Sequence, residues 1–156
     1  MNIRRAEEKD IEKILDLLSQ VLEVHAEIRP DYFIPGTTKY STSELIAIIH
    51  DDQRPIYVAV DETDTVMGYA FCAIMNQPAR ENMVQFTSLY IDDLCVDRNL
   101  RGRHIASRLF EYIKQEAKRI GCYEITLNVW EGNDSAEKFY KNAGFTPLKT
   151  TMEFIL

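Results

Sequence analysis

The chain has 156 residues, 46% of them apolar and 28% charged, with a formal net charge of -7. This length suits one domain, residues 1–156, with a core of its own, and the composition reads as an ordinary globular protein rather than a disordered or membrane chain. The acidic balance argues against a general nucleic-acid binder, which needs a basic face, and no apolar run approaches the ~18 residues of a membrane span.

"NIRRA" reads as a short first strand. Ile11, Ile14, Leu15, Leu18, Val21 and Leu22 then recur at helical spacing. Glu7, Glu8 and Asp10 stand at the end where the helix dipole favours acids. This first helix is expected to run to about His25. "RPDYFIPGTTKYST", with Pro30, Pro35 and Gly36, reads as a loop. It carries a heavy aromatic load in Tyr32, Phe33 and Tyr40. "SELIAIIHDD" is a second, short helix capped by Ser41 or Ser43. "PIYVAVD" and "VMGYAFCAIM" flank the polar "ETDT" and predict a hairpin. "NMVQFTSLYIDDLCV" is a longer strand. A helix follows from near Arg103, with Ile105, Leu109, Ile113, Ala117 and Ile120 on one face, and Gly121 ends it. "CYEITLNVW" is a strand, and "NDSAEKFYKNA" a helix capped by Asn133 or Asp134. "MEFIL" closes the chain as a last strand. The strand–helix–strand segment from Met83 to Trp130 implies a parallel pair beside an antiparallel hairpin. The fold class is therefore α/β (α+β): a mixed sheet with helices on both faces.

The charged start "MNIRRAEEKD" has no apolar core behind it, so no secretory signal is expected. The cysteines, Cys72, Cys95 and Cys122, sit singly in apolar runs without metal-ligand spacing. They read as buried thiols of a cytoplasmic protein, with no metal site.

The densest chemistry lies in "LCVDRNLRGRHIASRLF". A strand ends near Val96 and a helix begins a few residues on. The first turn of a helix carries unpaired N–H groups and the positive end of the dipole, which is a natural anion site. Arg101 and Arg103 are unfavourable there unless an anion answers them. Gly102 lets the backbone approach a ligand, and Ser107 adds a hydroxyl. Neither a G-x-x-x-x-G-K-[ST] loop nor a G-x-G-x-x-G fingerprint occurs. The pattern describes a different phosphate cradle.

That segment resembles the acyl-CoA-binding motif [RQ]-x-x-G-x-[GA] of the GCN5-related N-acetyltransferase (GNAT) superfamily, here Arg101-Gly102-Arg103-His104-Ile105-Ala106. "NVWEGNDSAEKFYKNAGF" resembles a second family stretch through Asn133, Ala136, Phe139, Tyr140, Gly144 and Phe145. Two motifs in order, about thirty residues apart and on fitting elements, extend the resemblance over the whole chain. His104 departs from it, standing where the family has a glycine. A residue already helical there would turn its Cβ away from a pyrophosphate.

The resemblance implies a mostly antiparallel twisted sheet with a central parallel pair. It implies an acetyl-CoA-dependent N-acetyltransferase acting on a primary amine of a small molecule or peptide by direct attack in a ternary complex. A homodimer is common in the resembling family, though the sequence does not fix the oligomer; the charge and hydropathy already given argue against nucleic-acid and membrane partners. The alternative is an acyl-CoA sensor or interaction module that lacks turnover. In the enzyme, the pyrophosphate would lie on the backbone of Arg101, Gly102, Arg103, His104, Ile105, Ala106 and Ser107. The pantetheine arm would pair with Leu94, Cys95 and Val96. Asn133, Ala136 and Phe139 would line its far side. Main-chain N–H of Cys95 or Val96 would polarise the thioester carbonyl.

Tyr140 matches the family tyrosine that faces the sulfur, so it is the candidate acid. A phenol is suited to protonate a thiolate. Asp92 is the candidate base, matching an acidic position of polyamine-acetylating relatives. Strand alternation puts Asp92 with Leu94 and Val96, and Asp93 with Cys95 and Asp97, so only one aspartate should face the cleft. Asp31, Tyr32, Phe33 and Asp93 are candidates to bind the acceptor's ammonium by charge and cation–π contact. Cys95 has no evident histidine beside it and reads as a wall thiol rather than a nucleophile.

Overall fold

The computed structural model describes residues 1–156. Five strands form one sheet in the order β1-β2-β3-β4-β5: β1 (Asn2–Arg5), β2 (Ile56–Val60), β3 (Val66–Asn76), β4 (Thr87–Val96) and β5 (Glu124–Leu127). The first four pair antiparallel, and β4 pairs parallel with β5 from Ser88↔Glu124 to Ile91↔Leu127. The parallel pair expected from the strand–helix–strand segment is present, but it lies at one end of the sheet rather than at its centre, because no strand pairs on the far side of β5.

Alternation along the strands splits the apolar residues between two faces. On one face Val58, Val60, Tyr69, Phe71 and Cys95 meet Ile14, Leu17 and Leu18 of α1 (Ile11–Ile28) and Leu45, Ile48 and Ile49 of α2 (Thr42–Ile49). On the other, Tyr57, Ala59, Ala70, Cys72, Leu89 and Ile91 meet Ile105, Leu109, Phe110, Ile113 and Ala117 of α3 (Ile105–Ile120). Each buried leucine or isoleucine there contributes roughly 1.5–3 kcal/mol. Helix α4 (Asp134–Asn142) lies on this second side through Phe139 and through Ala143, which follows its last residue.

The termini follow local chemistry. Ser41 caps α2 in a reciprocal box with Glu44, and Asn133 caps α4 by accepting from the Ala136 amide at 3.3 Å. Gly121 ends α3 in the left-handed conformation at φ 86°. Asp10 is buried and accepts two bonds from the Arg4 guanidinium, at 2.7 and 3.0 Å, tying the start of α1 to the sheet.

Several boundaries differ from the sequence reading. Helix α1 runs past His25 to Ile28, and α3 begins at Ile105 rather than near Arg103. Strand β4 begins at Thr87, because Met83 to Phe86 belong to the loop from β3, and β5 is only Glu124–Leu127. "MEFIL" is not a strand: Met152, Phe154 and Ile155 are exposed and lie against no partner. Its composition suits a sheet, but composition cannot supply an edge to pair with.

Candidate active site

Strand β4 contains one irregularity that shapes everything around it. Its pairing with β3 slips between Phe71 and Cys72, where Phe71 faces Asp93 and Cys72 faces Ile91. Asp92 is therefore the extra residue of a β-bulge. A bulge bends its strand and sharpens the twist. One residue before it, at Ile91↔Leu127, the pairing with β5 stops.

Beyond that point the sheet splits. A cleft of about 580 Å³ opens between the far half of β4, the end of β5 with the turn after it, α4, α1 and the loop before α2. The main chain along its β4 wall is open. The Asp97 amide donates to the Met67 carbonyl at 2.9 Å, so by alternation Asp93, Cys95 and Asp97 turn their main-chain groups toward β3. Leu94 and Val96 turn theirs the other way, where β5 has already ended. That edge can accept a strand-like ligand.

Cys95 does not share the open edge. Its side chain packs with the α1-side core, and its thiol donates to the Leu17 carbonyl at 3.5 Å. Burial first, and then the charge of Asp93, push that thiol up to about 12. Its main chain thus faces β3 rather than the open edge, where the sequence reading puts it, and its thiol is held protonated in the core.

The connection from β4 to α3 leaves its amides unpaired. Asp97 caps a short 3-10 turn, Arg98–Leu100, by accepting from the Asn99 amide at 3.0 Å. After the Leu100 amide, which donates to the Asp97 carbonyl, the next backbone donor with a protein acceptor is Arg108. None of the amides from Arg101 to Ser107 has a partner. The contrast with α2 and α4 is direct, since α3 alone of the three has no side-chain cap. Ile105 is buried and anchors the turn to the core, while Arg101, Gly102 and Arg103 are exposed.

Gly102 has φ 79° and His104 has φ 60°. Residue 104 is thus not helical, contrary to expectation. It is the left-handed residue before the helix, and a histidine there bears strain a glycine would not. Relief of that strain competes with the glycine's greater freedom in the unfolded chain. His104→Gly should therefore raise stability by a net of about 0.5 kcal/mol, read as a shift in denaturation midpoint. An unchanged or lower midpoint would show that the imidazole stabilises the turn.

The cleft brings together most of the predicted residues. Tyr140, Asn133 and Ala136 reach it from α4, and Asp92, Asp93 and Leu94 from β4. The two aspartates share one wall, against the alternation argument, because the bulge lies at Asp92. Their surroundings differ. Asp92 is exposed and pairs with Lys39 Nζ at 2.5 Å, while the Tyr40 hydroxyl lies 3.4 Å away. Asp93 is half-buried, and the Tyr69 hydroxyl donates to its Oδ2 at 2.7 Å. Tyr69 is fully buried, so this partner is fixed by the core. Desolvation outweighs that bond and pushes Asp93 up to about 6.

The Tyr140 hydroxyl makes no hydrogen bond within the protein, while its backbone carbonyl accepts from the Phe145 amide at 3.0 Å. Burial, then the nearby Asp93 charge, raise its phenol well above the ordinary value. Its ring packs edge-on against Phe139 and Phe145, with centroids at 5.1 and 5.5 Å. Phe139 itself belongs to the α3-side core and does not line the cleft, which corrects its expected place beside a ligand.

At the cleft mouth, Tyr32 and Phe33 form an aromatic group with Trp130 and His25, at centroid distances of 5.3–5.5 Å for Tyr32–Trp130, Phe33–Trp130 and His25–Phe33. Asp31 is not free to meet a substrate. It holds the Arg29 guanidinium through two bonds, at 2.9 and 2.7 Å, and Glu153 holds it from the far side. Arg29 also stacks over Tyr32, 4.3 Å from its centroid, so the expected cation–π contact is made by the protein itself.

Sequence reasoning passed over Tyr69, Lys39 and Trp130. Trp130 and Lys39 had a signal, as a lone tryptophan and a lysine beside predicted motifs. Tyr69 had none, being one tyrosine in an apolar strand.

A model of the Acetyltransferase (GNAT) family matches residues 21–145. The chain is 25% identical over 145 residues to the peptidyl-lysine N-acetyltransferase YjaB of Salmonella typhimurium, covering 93% of this chain and 83% of that protein. Its fold matches a crystal structure of a mutant BH1408 protein from Bacillus halodurans with a TM-score of 0.95 and 33% identity, over 100% of this chain and 99% of that one. The aminoglycoside N-acetyltransferase AAC(6')-Iy, solved with CoA, superposes with a TM-score of 0.74 at 15% identity over 99% and 98% of the two chains.

Proposed function

The chain belongs to the GNAT family of acetyltransferases, and on that footing we propose that it moves an acetyl group from acetyl-CoA to a primary amine of a small molecule or peptide, by direct attack in a ternary complex. The observation that carries this reading is the run of unpaired amides from Arg101 to Ser107, at the end of the open β4 edge. When bound, acetyl-CoA supplies the activated acyl group and a thiol leaving group.

The chain's own groups fit that ligand in order along the edge. The amides from Arg101 to Ser107 and the positive end of α3 are donors for a diphosphate, and Arg101 and Arg103 add formal charge. Leu94 and Val96 offer main-chain donors and acceptors to the amides of a pantetheine arm, as a neighbouring strand would. One of their N–H groups is placed to polarise a carbonyl held beside it. Asn133 and Ala136 wall the opposite side.

Proton movement falls to two side chains. Asp93 accepts a proton from the acceptor's ammonium, directly or through water; a carboxyl raised to about 6 suits a base that works near neutral pH. Tyr140 holds its phenol proton across the working range and donates it to the departing sulfur. The burial that weakens this phenol as an acid equally raises the basicity of a thiolate formed beside it. Asp92 and the aromatic group at the mouth bind a cation, consistent with an amine acceptor. AAC(6')-Iy and YjaB carry names that point to amine acceptors of a small-molecule and a peptidyl kind.

Calorimetric titration with acetyl-CoA, followed by a thiol-release screen of amines, amino acids, polyamines and peptides, tests the reading. Binding with release by at least one amine is expected. No heat at millimolar ligand would overturn it, and binding without release by any amine would leave a sensor.

Arg101→Ala should weaken coenzyme A binding about ten-fold, the worth of one charge-assisted contact. Binding of dephosphorylated pantetheine should change little. Equal weakening of both would remove Arg101 from the diphosphate site.

A further inference from the structure

The cleft already holds an amine. Of the eight lysines in the chain, Lys39 alone lines it. Its Nζ sits 2.5 Å from Asp92 Oδ2, on the wall that also carries Asp93, and its charge reaches Asp93 strongly enough to lower that carboxyl's proton affinity. Tyr140 faces the same space. An acceptor's ammonium drawn by these two carboxylates would have to occupy the place that Lys39 fills.

The position of Lys39 is built rather than incidental. The next residue, Tyr40, stacks on Phe71 with ring centroids 5.5 Å apart, and Phe71 is the cross-strand partner of Asp93. The backbone just after Lys39 is thereby held over the bulge, while its long side chain can move within the cleft. The pair with Asp92 is half-exposed and therefore weak, so it opens readily.

We propose that Lys39 is an internal acceptor: without an outside amine, the protein acetylates its own Lys39 Nζ from acetyl-CoA. This rests on the acetyltransferase reading above. The Lys39 ammonium gives a proton to Asp93, and its nitrogen forms a bond to the acyl carbon. The carbon–sulfur bond breaks, and the sulfur leaves with a proton from Tyr140. Asp93's proton passes to solvent, and Tyr140 is reprotonated by the second proton that the acylated nitrogen gives up, so the products are the Lys39 acetamide, free coenzyme A thiol and one released proton. Acetylation removes the cation from Asp92 and leaves that carboxylate open to an outside ammonium.

The wild-type protein is incubated with acetyl-CoA alone, digested, and its lysine peptides quantified by mass spectrometry. Lys39 should carry an acetyl group in on the order of ten-fold or greater excess over exposed Lys138 and Lys149, because only Lys39 gains from being held at the site. Asp93→Asn should reduce Lys39 to that background. Lys39 unmodified, or modified no more than the exposed lysines, overturns the proposal. The same preparation assayed for thiol release with added amines separates the two ideas. Release without Lys39 acetylation defeats only the internal-acceptor proposal; absence of both release and acetyl-CoA binding defeats the transferase reading as well.

Discussion

Asp93→Asn is expected to lower turnover by about 10²–10³-fold while making the protein more stable at alkaline pH. The first effect follows from removing a positioned base. In the wild type, kcat/KM should rise through an inflection near the pKa of Asp93, about 6, as the carboxylate forms. That limb should vanish in the variant. The second effect follows from linkage. The folded pKa lies above the unfolded carboxyl value of about 3.9. Folding therefore takes up a proton between these two values, and stability is lost as pH rises through that window. Above about pH 7 the wild type bears the whole penalty, roughly 1–2 kcal/mol after solvent screening. Asparagine removes the penalty and can still accept from Tyr69. Melting curves should coincide near pH 4 and separate by pH 8, with the variant higher. A variant equally or less stable at pH 8 would show that the carboxylate is not strained in the fold.

Tyr140→Phe should lower kcat by ~10²-fold with acetyl-CoA affinity nearly unchanged. The phenylalanine keeps the ring contacts with Phe139 and Phe145 and removes only a hydroxyl that bonds to nothing in the protein. Stability should thus hold to within about 0.5 kcal/mol. Single-turnover rates and calorimetric affinity, measured on one preparation, separate the outcomes. A parallel fall in both would make Tyr140 a packing residue. Unchanged kcat would mean that the thiolate leaves without its proton.

The two variants probe one constraint. Asp93 and Tyr140 share a cleft whose low polarity raises both pKa values, and the charge of Asp93 raises Tyr140 further. In the proposed reaction, one group would be ready to take a proton near neutrality and the other to keep one until the sulfur departs. This separation of roles comes from unequal surroundings rather than unequal distance along the chain.

By itself the sequence determined the sheet-and-helix order up to the last helix, the two helical faces that cover the sheet, and the turn from Arg101 to Ser107 ahead of α3. Each is a local property: the period of Ile105, Leu109 and Ile113, the Gly102 turn, or the Asn133 cap can be read from a dozen residues at a time. Only the tertiary structure decided which aspartate is desolvated and whether both reach the cleft, because the bulge at Asp92 is a property of how β4 pairs with β3. Pairing also took Asp31 for Arg29, turned Phe139 into the core, brought Tyr69 to Asp93 and left "MEFIL" without a partner strand. Such contacts join residues far apart in the chain, whose energies depend on neighbours that no short stretch contains.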